Sequence, residues 1–193
     1  ICSPANPQGA VASRDYWAAL IGLAEKYDFR IFADECYSEI YRDEAPTGAL
    51  TVAQELGADP ERVLLFNSLS KRSNLAGLRS GLIAGGPDSI KRVKQLRNYA
   101  GAPLPLPLQA AAARVWADET HVVENRALYQ EKYAIADEVF SGLQGYMPPE
   151  AGFFLWLPVA NDDAATLKLW KETGVRVVLG GCLTLDAGAS NPG

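Results

Sequence analysis

Short apolar runs and amphipathic helical patterns take turns along the first hundred residues, and few architectures accept that alternation. Ser13 can cap a helix whose apolar residues, Trp17, Leu20, Ile21, Ala24 and Tyr27, recur at spacings of three and four. Residues 29–33 form an apolar run rich in Ile and Phe that ends at Asp34-Glu35. Residues 63–66 form a second such run, and 82–84, closed by Gly85-Gly86, a third. Runs this short and apolar read as buried strands. Pro87 opens a further helix through about residue 99, because proline suits a first helical turn. Helices that alternate with buried strands imply an α/β layered fold around a largely parallel sheet.

The rest of the chain reads differently. Three prolines in 102–107 exclude helix interior there. An Ala-rich helix is expected at 108–117 and a long helix at 118–143. Its apolar seam is Leu128, Ile135, Val139 and Leu143, beside Tyr129, Ala136 and Phe140. An aromatic-rich strand at 152–159, a helix at 164–172 and a strand at 175–178 then suggest the start of a smaller α+β domain. The expected division is 1–135 and 136–193, with the long helix as a bridge. The opening Ile1-Cys2-Ser3 reads like the end of a buried strand, and Asn191-Pro192-Gly193 reads as a turn. Both ends are therefore expected to continue into a longer protein.

Charge and cysteine content narrow the function classes. Twenty-three acidic against eighteen basic residues give a net charge of -5, with no long basic cluster. That balance argues against nucleic acid or an anionic membrane as the main partner. No stretch approaches the roughly 18 apolar residues of a membrane helix, and no secretory leader is legible. The three cysteines, Cys2, Cys36 and Cys182, are odd in number and lack metal-ligand spacing. No metal site is expected, and a reduced, cytoplasmic setting suits them best.

In open α/β sheets, ligand groups gather at the carboxyl ends of strands. Asn6 follows the strand end at 1–3, Asp34 follows 29–33, and Ser68 to Lys71 follow 63–66. Three segments result: Ser3-Pro4-Ala5-Asn6-Pro7-Gln8-Gly9; Asp34-Glu35-Cys36-Tyr37; and Ser68-Leu69-Ser70-Lys71 with Asn74, Gly77, Leu78, Arg79 and Gly81. A lysine amine can bond an aldehyde covalently, and an arginine fork can hold a phosphate. Each residue also has a plainer reading. Asp34 suits a turn, Asn6-Pro7 is a turn signal, and Tyr37 suits a core. Arg79 suits a surface ion pair, and the serines suit helix caps.

In order and in residue type, these segments resemble the class I/II aminotransferases, fold-type I enzymes that depend on pyridoxal 5'-phosphate (PLP). The resemblance covers essentially the whole chain. It implies an α/β fold: a three-layer, aspartate aminotransferase-like large domain, partial here, plus the start of the smaller α+β C-terminal domain. It implies that Lys71 carries the cofactor by a Schiff base and moves a proton between the substrate α-carbon and cofactor C4′. Asp34 would keep the cofactor's ring nitrogen protonated, so that the ring acts as an electron sink. Tyr37 and Asn6 would hydrogen-bond its phenolic oxygen, and Ser68, Ser70 and Arg79 would form the phosphate cup. The catalytic set is then Lys71, Asp34 and Tyr37. The Asn6-Pro7 bond is often cis in the family.

The implied partners are amino-acid and 2-oxo-acid substrates and, for the full-length protein, a second copy in a homodimer. Residues 100–107 and the Asp118-Glu119-Thr120-His121 start of the long helix are similar to succinyldiaminopimelate aminotransferases. Some of the family's parts lie outside these residues: the N-terminal phosphate turn, the ring that stacks on the cofactor, and the arginine for the substrate carboxylate. The chain alone is therefore expected to be inactive. Leu179-Gly180 stands where related chains tend to have Pro-Gly. Two alternatives share the scaffold: a PLP-dependent lyase or decarboxylase, and the PLP-binding domain of a transcription regulator. Tyr37 counts against a C–S lyase, which usually has His there. His121 reads as solvated surface, Cys36 as packing and Arg176 as exposed charge. Phe153, Phe154 and Trp156 read as small-domain core, with one ring near the substrate entrance.

Overall fold

The computed structural model describes residues 1–183; the expected turn at 191–193 lies outside them. Helix α1 (Arg14–Tyr27) begins where the Ser13 hydroxyl accepts from the Tyr16 amide at 3.1 Å, as its sequence predicts. It turns Trp17, Ile21 and Ala24 inward. Strand β1 (Ile31–Asp34) alternates between faces, as strands must: Ile31 and Ala33 are buried, Phe32 and Asp34 exposed. Helix α2 (Ala49–Glu55), which the sequence pattern did not announce, adds Ala49, Val52 and Ala53. Together with Val63 these residues form one apolar core on one face of the sheet. On the other face Phe32, 56% exposed, meets Phe66 at 5.5 Å between ring centroids.

The sheet order is β1-β2-β3. Strand β2 (Val63–Ser68) runs parallel to β1, with Asp34 opposite Phe66. Strand β3 (Gly81–Ala84) runs antiparallel to β2, with Ser68 opposite Gly81. The expected parallel pairing thus holds for β1 and β2 but not for β3. The link through α3 (Leu69–Arg72) and a 3₁₀ turn at Ala76–Leu78 reverses the chain at the strand end, where the Leu69 amide donates to Ser80 at 3.1 Å. It does not cross the sheet, as a parallel neighbour would require. On the outer edge of β1, Cys2 makes a parallel bridge to Asp34. The segments of Asn6, Asp34 and Ser68 therefore leave the sheet at one end.

Helices α4 (Pro87–Tyr99), α5 (Leu106–Trp116), α6 (Thr120–Phe140) and α7 (Asp162–Thr173) stand close to their predicted places. Three expectations are corrected. Residues 152–159 form no strand; only Ala151 pairs, in an isolated bridge to Tyr41. Residues 175–178 form none either. A strand needs a partner for its backbone groups, and none lies beside either segment among the described residues. The third correction is the buried face of α6, which is Val122, Asn125, Tyr133 and Ala136, with Leu128, Ile135 and Val139 exposed. Apolar residues surround this helix, so polar anchors choose the inward face. Arg126 donates to the Glu39 carbonyl at 3.0 Å and its carboxylate at 2.7 Å, and the Tyr133 hydroxyl donates to the Gly152 carbonyl. Helix α6 runs unbroken through 135 and 136. Among the described residues no helix is long and apolar enough to cross a membrane.

Candidate active site at the carboxyl end of the sheet

Each site segment is held by its own local structure. The first contains cis peptide bonds at Ser3-Pro4 and Asn6-Pro7. Gly9, at φ +73, closes its turn and accepts from the amides of Glu150 and Ala151, both at 3.0 Å. A side chain there would meet Pro149, since a Cβ would lie 2.5 Å from the Pro149 Cβ. The second segment is fixed by Glu35. Its amide donates to Phe66 at 2.9 Å, and its buried carboxylate accepts from the Ala49 amide at 2.8 Å. Glu35 thus caps the start of α2, a task the sequence reading did not assign. Burial raises its pKa, and the Ala49 hydrogen bond works against that rise.

Asn6, Tyr37 and Lys71 converge. The Asn6 amide donates to the Tyr37 hydroxyl at 3.2 Å. Lys71 Nζ lies 5.8 Å from the Tyr37 ring centroid and 4.8 Å from that of Phe153. Among the described residues no hydrogen bond or ion pair engages the half-buried Lys71 amine. Burial pushes the Tyr37 hydroxyl above its ordinary pKa, helped by the nearby Cys2 and Asp34. It therefore keeps its hydrogen, and because Asn6 supplies a hydrogen to its oxygen, that proton is left to donate elsewhere.

Asp34 is exposed and lies beside Cys36, whose amide donates to Asp34 Oδ1 at 3.1 Å. Burial and the Asp34 carboxylate push the Cys36 thiol up to about 11. A thiol so protonated is no nucleophile at neutral pH, in keeping with packing. Two predicted residues are not drawn in. Arg79, exposed and at φ 55, donates to the Ala76 carbonyl at 2.9 Å, and no contact among the described residues joins it to Lys71. Ser70 is half-buried, and its hydroxyl has no partner among the described residues.

The structure adds residues that the sequence reading placed elsewhere. Phe153 and Phe154 pack edge-on against Tyr37, at 5.3 and 5.8 Å, rather than lining a separate core. Tyr129 of α6 stacks behind Phe153 at 6.0 Å. The cluster of aromatic residues in 152–159 was the signal, read as a strand. His121 is half-buried and not simply solvated: Nε2 lies 2.8 Å from Ser73 Oγ and Nδ1 3.1 Å from Asp118. Among the described residues no group of His, Cys, Asp and Glu could hold a metal.

These residues suit PLP. The Lys71 amine, unpaired among the described residues, suits its aldehyde, the Tyr37 hydroxyl its phenolic oxygen, and the exposed Asp34 carboxylate its ring nitrogen. A profile of the aminotransferase class I and II family matches residues 1–191. The chain is 36% identical over 180 residues to 4-dedimethylamino-4-oxo-anhydrotetracycline transaminase OxyQ of Streptomyces rimosus, covering 92% of this chain and 50% of that protein. An aminotransferase structure from Neisseria meningitidis superposes with TM-score 0.92 and 41% identity, covering 100% of this chain and 50% of that one. The aspartate aminotransferase of Thermotoga maritima, at 24% identity and TM-score 0.81, shares the fold over 92% of this chain and 46% of its own. The chain spans about half the length of these relatives. By its sequence and by a fold of the aspartate aminotransferase type, this chain belongs to the aminotransferase class I and II family, whose members use PLP.

Proposed function

We propose that this chain is part of a PLP-dependent aminotransferase that moves an amino group from an amino acid to a 2-oxo acid. One observation carries the reading: the Lys71 amine, without an ion-pair partner among the described residues, sits against Tyr37 and Phe153, with Asn6 bonded to Tyr37. When bound, PLP supplies an electron sink for a bond broken at the substrate's α-carbon. Lys71 Nζ would hold the cofactor through its aldehyde carbon and would be released when a substrate amine takes its place. Once free, the same amine would be the base that takes the substrate's α-proton and the acid that returns it across the intervening nitrogen. Asp34 holds a proton on the ring nitrogen. Tyr37 donates to the phenolic oxygen, and Asn6 orients Tyr37. Ser68, Ser70 and Arg79 would hold the phosphate, Arg79 by giving up its bond to the Ala76 carbonyl. Phe153 lies beside the Lys71 amine and would shield it on that side.

The full-length protein is, in this reading, a cytoplasmic homodimer in amino-acid biosynthesis, with α6 joining a cofactor domain (1–135) to a smaller one (136–193). The test uses the full-length protein loaded with PLP and incubated with single amino acids, without an acceptor. The expected result is one equivalent of 2-oxo acid and of pyridoxamine phosphate per site, with no gas or ammonia. Release of ammonia, sulfide or carbon dioxide instead would assign a lyase or decarboxylase.

A further inference from the structure

Lys71 stands on α3, a helix of four residues. A single turn has too little cooperativity to hold itself, so its place is set from outside. The next three side chains supply that support. Arg72, 4% exposed, reaches the C-terminal end of α5, where carbonyls lack helical partners. Its Nη1 donates to the Val115 carbonyl at 3.2 Å, and its Nη2 donates to Trp116 at 3.5 Å and pairs with the Glu119 carboxylate. The guanidinium lies 5.1 Å over the Trp116 ring and donates to Ser73 Oγ at 3.3 Å.

Ser73 continues the chain of bonds to His121 at 2.8 Å. Asp118 can only accept, so in the neutral ring His121 Nδ1 carries the hydrogen, and Nε2 accepts from Ser73. Asn74, at φ 52, donates to Asn125 at 2.7 Å. The short helix bearing Lys71 is thus fastened at three successive residues to the junction of α5 and α6. Arg72 is the centre of that fastening, since one planar fork satisfies acceptors on both helices.

We infer that Arg72 is a positioning residue: it touches no reacting atom, but it fixes where the Lys71 amine stands relative to Tyr37 and Phe153. The inference rests on the reading of Lys71 as the cofactor-bearing residue. A lysine at 72 keeps the charge but loses the fork. The test compares full-length wild type, Arg72→Lys, Arg72→Met and Asn125→Ala. Arg62→Met serves as control, because Arg62 is half-buried and ion-paired too, but with Asp28, away from the site. Each is loaded with PLP. Attachment at Lys71 is located by borohydride trapping and peptide mass spectrometry, and the lysine-bound cofactor's absorbance is titrated with pH.

The expected result is that Arg72→Lys still carries PLP on Lys71, with a displaced pH midpoint. Its kcat falls about tenfold or more, as small misplacements of a catalytic group do, with KM changed much less. The control keeps the wild-type midpoint and kcat. Should Arg72→Met fail to fold, Arg72→Lys and Asn125→Ala decide, with a smaller displacement expected for Asn125→Ala. Wild-type midpoints and kcat in both, or a loss of melting temperature alone, would overturn the inference. Absence of PLP from Lys71 in the wild type would instead sink the reading beneath it.

Discussion

The tyrosine at the centre of the site separates binding from folding. Tyr37 gives its ring to Phe153 and Phe154 and its oxygen to Asn6. Tyr37→Phe keeps the ring contacts and removes the hydroxyl. Asn6 is exposed, so its amide turns to water at little cost. The expected outcome is an unchanged melting temperature and PLP binding about tenfold weaker, the worth of one hydrogen bond of about 1.4 kcal/mol. Equilibrium dialysis of the cofactor and a thermal melt check both halves. Asn6, Asp34, Tyr37 and Lys71 were singled out by residue type and order, and the structure brings Asn6, Tyr37 and Lys71 together. Phe153 and Arg72 were not singled out in that way. Their roles rest on contacts with Tyr37 and with the end of α5, far along the chain, which no local pattern encodes.

Among the elements, α2 shows most clearly how a strand end and a helix are coupled. Its first amide is capped by Glu35, whose buried carboxyl has a pKa above its ordinary value of 4.5. The folded state therefore holds a proton that the unfolded chain has released. Stability from this group is full below the ordinary value and is lost as pH rises through the folded one. Glu35→Gln can keep the acceptor for Ala49 without titrating. Thermal melts over pH 4 to 8 should show a flatter fall toward high pH in the variant, and parallel curves would contradict the assignment. Helices with a cap or a first-turn proline, α1 and α4, were read from sequence almost to the residue. Helix α2 begins after Gly48 with a cap 14 residues upstream, so its start carries no local signal. Strands at 152–159 and 175–178 were expected from composition, which shows what a segment prefers and not whether a partner is at hand.

Over the whole molecule, the first residues and the segment near 150 are tied through Gly9. Its φ of +73 and the 2.5 Å approach to Pro149 leave no room for a methyl group. Gly9→Ala should cost about 2 kcal/mol or more in urea unfolding, and PLP affinity should fall with it, since Asn6 lies on the same turn. The layered α/β class was legible from the alternation of runs. The antiparallel turn of β3 was not, because strand direction depends on where a connection travels. The central claim concerns Lys71, and one measurement meets it most directly. The full-length protein is incubated with PLP, reduced with borohydride, digested and analysed by peptide mass spectrometry. The account predicts one phosphopyridoxyl group per chain, on Lys71, and none in Lys71→Ala. A label on another residue, or an undiminished label in Lys71→Ala, would contradict it.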